Sequence, residues 1–298
     1  LARLRRPEFA HVEISPGSSL LGDLGFDSLS MIEVAATLED ALGIGELSLA
    51  RWREQESEKI GARFTVGSLT ELCLRASPPR VLALQPHRYP GVLVTFCGID
   101  GSGKTTMMQA AAGYLRDRGL PCHSTFTPTP LIRKNALFRE LVDASTAEAR
   151  ARVDVMGLGL QILGDLLQHL KDTIVPRLER GEVVLCDRYL YTTQAEVRSR
   201  TLDPEVEQLV ANVAGRVVRP DLAVAMDVAP AIAEQRVKQR DAERHKPVDP
   251  AFIAVQAETY LSVAKTNGLF VISSDRSFDE AFNSLRKRLD GCLAERGR

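Results

Sequence analysis

Thr95 to Gln109 reads TFCGIDGSGKTTMMQ, and the pattern inside it, Gly98-x-x-x-x-Gly103-Lys104-Thr105, limits the fold more than any other stretch. An apolar, β-branched run at 92–97 precedes it and a helical pattern from about Lys104 to Arg118 follows. A glycine-rich turn between a buried strand and a helix aims successive backbone N–H groups, and the positive end of the helix, at one point. Such a turn cradles the phosphates of a nucleoside triphosphate. Gly98, Gly101, Ser102 and Gly103 form the loop. Lys104 reaches the β- and γ-phosphates, the Thr105 hydroxyl can ligate Mg²⁺, and Thr106 completes the cofactor-binding set.

The rest of the carboxyl-terminal two thirds fits the context that this loop requires. GVLVTFC, PCHSTF, EVVLCD, LAVAMDV and LFVIS are short apolar or β-branched runs, separated by longer helical patterns such as 131–180 and 249–265. Strands alternating with helices predict an α/β domain, a mainly parallel sheet with helices on both faces. Residues 77–91, SPPRVLALQPHRYPG, hold four prolines and read as a linker. The expected organisation is therefore a small helical domain over 1–76, a linker over 77–91 and the α/β domain over 92–298.

Charge divides along the same line. Between Arg6 and Arg51 there is no Lys or Arg, while Glu8, Glu13, Asp23, Asp27, Glu33, Glu39, Asp40 and Glu46 give −8, which leaves +7 for the remainder of a chain whose net charge is −1. An acidic block tied to a basic remainder suits either a solvated face or two modules whose fields attract. The five cysteines, at 73, 97, 122, 186 and 292, have neither metal spacing nor a disulfide framework, and Cys97, Cys122 and Cys186 sit in strand-like runs. No apolar run approaches the ~20 residues of a bilayer span, and LARLRRPEFA lacks a signal-peptide core. The expectation is a cytoplasmic protein with no membrane and no nucleic-acid partner. The chain begins at Leu1 without an initiator Met, so additional native chain before it is an open expectation.

Two further groups belong with the loop. Asp187 and Arg188 end the run EVVLCDR. At the carboxyl edge of a parallel sheet they would stand beside the loop, Asp187 in the Mg²⁺ shell and Arg188 against the charge of the transferring group. A strand-end Asp can also simply cap a turn. The basic run Arg236, Lys238, Arg240, Arg244, His245 and Lys246 suits either a solvated helix face or a lid, in which Arg236 and Arg240 close over the phosphates.

GIDGSGKTT, IVPRLERGEVVLCDRYLYTTQA and the basic run before ETYLSVAK fall in an order that resembles the thymidylate kinase family within the nucleoside monophosphate kinases, over about residues 91–295. The resemblance implies a P-loop kinase fold, ATP with Mg²⁺, and the habit of forming homodimers. The departures lie on the acceptor side. The family has an Arg-Glu-Pro loop after its second strand, and this chain reads TFTPTP. An arginine that grips the nucleotide's phosphate stands three residues before a histidine, and counting back from His169 gives Leu166; Arg150 and Arg152 are the alternatives. Where the family has a Tyr-Gln pair, Glu196 and Val197 stand. The acceptor half for thymidylate reads as dismantled, with a dianion expected to face Leu166 and Glu196.

LLGDLGFDSLSMIEVAATLEDALGI opens an amphipathic helix at Ser28, with Leu29, Ile32, Ala36 and Leu38 to Leu42 expected in a core and Glu33, Glu39 and Asp40 outside. With FTVGSLTEL as a last helix, residues 12–76 resemble an acyl carrier protein, although residues 1–14 look short for a full first helix. The resemblance implies a 4′-phosphopantetheine arm on Ser28 bearing an acyl group; the plainer reading is that Asp27 and Ser28 cap the helix. Its partners would be a phosphopantetheinyl transferase and acyl-loading enzymes. The two resemblances together suggest a kinase that phosphorylates a hydroxyl of the acyl group on its own carrier domain, in natural-product assembly, with Asp100 orienting that hydroxyl. The alternatives are a nucleoside monophosphate kinase with a passive carrier, and a non-enzymatic ATP-binding module that gates carrier docking.

Overall fold

The computed structural model describes residues 1, 7–9, 11–58, 64–143, 146, 149, 152–201, 203–239 and 249–297. The chain divides into two compact units, Leu1–Pro78 and Pro79–Arg298.

In the first unit three helices, α1 (Ser28–Leu42), α2 (Leu49–Glu58) and α3 (Val66–Ala76), surround a small core of Leu20, Leu24, Phe26, Met31, Val34, Trp52 and Leu69. Trp52 meets Phe64 edge-on at 5.4 Å. A capping box starts α3, in which Thr65 Oγ1 accepts from Ser68 N and Ser68 Oγ from Thr65 N, both at 3.1 Å. The face of α1 turned inward is not the expected one. Met31, Val34, Ala35 and Leu38, spaced i, i+3, i+4, i+7, pack inside. Leu29 and Ile32 are 77% and 60% exposed, and Ala36 and Leu42 are exposed as well. The helix carries two apolar stripes, and the one with continuous i, i+3, i+4 spacing is buried. A three-residue 3₁₀ turn at Pro7–Phe9 precedes these helices.

The second unit is built on five strands: β1 (Val92–Cys97), β2 (Cys122–Phe126), β3 (Val183–Asp187), β4 (Leu222–Asp227) and β5 (Phe270–Ser273). They form one parallel sheet in the order β2-β3-β1-β4-β5. Period-two alternation divides the side chains between two cores. Val92, Val94 and Phe96 point to one face with Val183, Leu185, Val224 and Met226, where α4 (Lys104–Asp117) and a long carboxyl-terminal helix at 278–295 cover them. Leu93, Cys97, Val184, Cys186 and Ala225 point to the other. The short helices α5 (Pro130–Arg133) and α6 (Ala136–Asp143) follow β2. Beyond them, α7 (Val155–His169) passes through a π-helical turn at Leu170–Ile174 into α8 (Val175–Glu179). The expected helical pattern at 131–180 is thus several pieces. The second face is covered by α7 and α8, by α9 (Leu190–Arg200) and α10 (Pro204–Ala214), and, beyond α11 (Pro230–Lys238), by α12 (Pro250–Thr266).

Residues 79–91 are not a free linker. Leu82 and Leu84 are buried in the second core. Leu82 N donates to Asn267 Oδ1 at 2.8 Å, Arg219 N to the Gln85 carbonyl at 2.7 Å, and His87 Nε2 lies 3.0 Å from Asp221 Oδ2. Proline bars this stretch from a helix or a central strand, but an extended chain can still bury every second or third side chain against a domain.

Candidate functional site

Both ends of the phosphate loop are set by steric necessity. Gly98 has φ +144°, and a Cβ there would stand 2.6 Å from the Met226 carbonyl oxygen; Gly101 has φ +83°, and its Cβ would stand 2.5 Å from the Ala233 carbonyl oxygen. Only glycine meets both conditions, so the loop is clamped between β4 and α11. Lys104 is buried and its Nζ donates to the Ile99 carbonyl at 2.8 Å, which keeps the ammonium beneath the loop. Burial, with the Arg188 charge second, lowers the Lys104 pKa to about 8.

Arg188, just after β3, lines the same cavity as Lys104. It has φ +69°, a left-handed conformation that costs a non-glycine residue roughly 1–2 kcal/mol. The turn swings its guanidinium away from β3 and towards the loop, where it is tied to Asp100, lies 3.7 Å from Glu196 Oε1 and donates to Tyr260 OH at 3.3 Å. Burial acts against its charge, but Asp100, Tyr260 and Glu196 outweigh burial and hold its pKa above the ordinary arginine range. Glu196 in turn accepts from Tyr260 OH at 2.6 Å and pairs with Arg200 Nη2 at 2.9 Å. Burial would raise its pKa, yet Arg200 and Arg188 keep it low, so it is an ionised, fully engaged carboxylate.

Asp187 Oδ1 is buried and has no hydrogen-bond partner among the described residues, and Thr105 stands exposed in the first turn of α4. An orphaned carboxylate oxygen beside an exposed threonine at the phosphate loop fits a Mg²⁺ ion with its shell of water. Lys104, Thr105, Asp100, Gly101, Gly103, Asp187 and Arg188 line one cavity of about 640 Å³, which brings most of the expected site together. Gly98 is part of the loop's base and Ser102 is wholly buried, while Thr106 is exposed on the first turn of α4.

Three expectations are corrected by the geometry. Arg236 is not a lid over phosphates: it donates to the carbonyls of Gly101 at 3.3 Å and Ser274 at 3.1 Å, bracing the loop from outside. Arg240, with the rest of the basic run at 244–246, lies outside the described residues. Leu166 does not face an acceptor, because it is 1% exposed within the core beneath α7, in a stripe with Leu163 and Leu170. Val197 and Glu196 do line the cavity, but two arginines neutralise Glu196.

The acceptor side also holds arginines that the sequence reading passed over. Arg133 and Arg139 line the cavity, and so does Arg200. Asp165 fixes the turn that carries Arg133, accepting from Thr129 N at 2.7 Å and Thr129 Oγ1 at 2.5 Å. The signal for Arg133 was its place in the loop after β2; for Arg200, its i, i+4 spacing from Glu196.

In the first unit Ser28 is exposed at the head of α1. Asp27 does the capping, its Oδ1 accepting from Ser30 N at 2.8 Å and Ser30 Oγ at 2.7 Å. Among the described residues none hydrogen-bonds the Ser28 hydroxyl. A phosphodiester formed there would sit at the positive end of a fifteen-residue helix.

The low pKa of Lys104 has a kinetic consequence with a definite sign. The ammonium is the binding form and is lost as pH rises through about 8 in the nucleotide-free protein. We expect kcat/KM for ATP, which reports the free enzyme, to fall about tenfold per pH unit above that value, with kcat falling later because bound phosphates hold the proton on. A kcat/KM flat to well above pH 8 would contradict it.

Comparison with known proteins agrees with this geometry. A thymidylate kinase model matches residues 96–285, and a phosphopantetheine attachment site model matches residues 7–50. The thymidylate kinase of Bifidobacterium longum subsp. infantis is 28% identical over 211 residues, which cover 69% of this chain and 88% of that protein. The probable thymidylate kinase of Pyrococcus abyssi is 35% identical over 150 residues, covering 50% and 71%. Among the described residues no helix is long and apolar enough to cross a membrane. By its parallel sheet, its phosphate loop and its sequence, the chain belongs to the thymidylate kinase family and carries a phosphopantetheine attachment site in its amino-terminal unit.

Proposed function

We propose that the chain is an ATP-dependent phosphotransferase whose acceptor is a hydroxyl of an acyl group borne on a phosphopantetheine arm at Ser28. The observation that carries this reading is the pairing, in one polypeptide, of a phosphate loop with a unit that matches a phosphopantetheine attachment site and exposes Ser28 at the head of α1. A phosphopantetheinyl transferase and acyl-loading enzymes would act on the carrier first.

The chemistry uses residues already placed. The acceptor oxygen bonds to the γ-phosphorus, the bond from that phosphorus to the bridging oxygen breaks, and ADP leaves with the electron pair. The hydroxyl proton passes to Asp100 and then to water, since that carboxylate is 65% exposed. Lys104 and Arg188, which converge on Asp100 Oδ1, would both face the charge on the transferring group, and Mg²⁺ held by Asp187 and Thr105 would supply further charge neutralisation. Phosphate leaves more readily than hydroxide, so a β-phosphorylated acyl thioester is prepared for elimination or displacement, steps that suit natural-product assembly.

A nucleoside monophosphate is the second reading, favoured by Arg133 and Arg139 in the cavity and by the thymidylate kinases to which the chain is similar. Intact-protein mass spectrometry of the pantetheinylated, hydroxyacyl-loaded chain before and after ATP·Mg²⁺, beside ADP release with dTMP, separates the two. One phosphoryl group gained on the loaded arm is the expected result. Rapid dTMP turnover with an unchanged loaded arm would promote the second reading.

A further inference from the structure

The cations of the acceptor cavity fall into two groups. Arg188 and Arg200 already pair with Asp100 and Glu196. Arg133 and Arg139 line the same cavity, and among the described residues neither forms an ion pair. Arg133 spends only Nε on the protein, donating to the Pro128 carbonyl at 2.9 Å, while its guanidinium lies 4.3 Å over the Phe126 ring. Stacking and one hydrogen bond fix the plane of the group and leave both terminal nitrogens to donate. The carboxylates whose charges reach Arg133 are Asp187, Asp100 and Asp165; Asp100 is paired with Arg188 and Asp165 accepts from Thr129.

Around these two arginines the wall is aliphatic and aromatic. Phe138, Leu141 and Val142 come from α6, and Val155, Leu158 and Ile162 from α7. A nucleobase is read by side-chain amides and hydroxyls that match its edges; the cavity has such groups in Thr127, Thr192, Thr193 and Gln256, but they stand outside α6 and α7, where Arg139 is the one polar side chain among the described lining residues. An apolar chain with an anion near its end matches the wall better: the chain packs on the hydrocarbon, and a carboxylate takes paired N–H donors from arginine.

We infer that the acceptor is an anionic hydroxyacyl chain, one bearing its own carboxylate, which Arg133 and Arg139 bind while the hydroxyl faces Asp100. The inference rests on the carrier-borne acceptor proposed above and narrows it to hydroxy-dicarboxylic acyl groups.

The test loads the full-length chain, pantetheinylated on Ser28, with either 3-hydroxyglutaryl or 3-hydroxypentanoyl, which have the same number of carbons and differ in the terminal carboxylate. Phosphoryl gain after ATP·Mg²⁺ is followed by mass spectrometry. The anionic chain should react at least roughly tenfold faster, the size of one charge-assisted contact, and Arg133→Gln with Arg139→Gln should bring the ratio of the two rates towards one. Equal rates in the unaltered protein would overturn this inference and leave the carrier-borne acceptor standing. A preference that survives the double substitution would overturn the assignment to these arginines. Inert acyl chains beside rapid dTMP turnover would overturn the proposed function and this inference with it.

Discussion

Replacing Lys104 by Ala lowers turnover by roughly 10²–10³-fold or more, the usual loss when one preorganised charge is taken from a transferring group. Lys104 is buried, its Nζ fixed on the Ile99 carbonyl at 2.8 Å, and no second ammonium lines the cavity among the described residues. Water entering the space would solvate the phosphates but could not move with the charge as the γ-phosphoryl group leaves.

The fold should tolerate the change. A buried lysine of depressed pKa is partly a burden, since the folded chain holds its charge less favourably than water does; the Ala variant loses one hydrogen bond, worth about 0.5–1.5 kcal/mol, and is relieved of that desolvation cost. A thermal midpoint within a few degrees of the parent, measured beside ADP release, keeps loss of chemistry apart from loss of structure. Near-normal ADP release from a folded Lys104→Ala protein would remove the phosphate loop from the reaction.

The parts of the fold that were legible in the sequence are those set by local rules. All five strands lie in the five runs: β1, β3 and β4 are central, buried on both faces and therefore almost wholly apolar, while the edge strands β2 and β5 are only partly buried. The phosphate loop was legible because its glycines answer to contacts that no other residue survives, at Gly98 and Gly101. Residues 79–91 were misread for the opposite reason. Their anchors, Asn267, Val217 and Asp221, lie more than a hundred residues away, and nothing in a proline-rich stretch announces them.

The acceptor side shows where reading by alignment gives way to helix phase. Counting back from His169 assigned Leu166 to the cavity, whereas Leu163, Leu166, Leu170 and Ile174 make one buried stripe at helical spacing. That stripe was readable from the sequence and outweighs the count. Arg133 and Arg139 were harder to find, since a guanidinium enters a cavity only when the turn beneath it is fixed, and Asp165 does that from another helix. The same limit applied to α1, where two apolar stripes competed and the solvent face could be told only once α2 and α3 were in place. The exposed stripe of Leu29 and Ile32 is an apolar surface next to Ser28, the proposed attachment residue.

Ser28→Ala should remove the arm completely and cost the fold almost nothing. In the proposed reading the hydroxyl accepts the phosphodiester, so its loss takes phosphopantetheine addition from one equivalent to none. Stability is protected because the helix is capped by Asp27 through Ser30 N and Ser30 Oγ, at 2.8 and 2.7 Å, and Ser28 takes no part in that cap. Alanine is also the better helix former at an exposed first-turn position, so the change in stability should stay within about 0.5 kcal/mol. Incubation with coenzyme A and a phosphopantetheinyl transferase, read by intact mass, checks the first part. An arm that still forms in the variant places the attachment on another residue. The second part is a contrast between units: ATP binding, measured by calorimetry, should be unchanged in Ser28→Ala, while phosphoryl gain on an acyl arm is abolished because there is no arm to carry it. Unchanged ATP binding with ADP release that no longer responds to loading is the signature of a kinase whose acceptor arrives on the carrier.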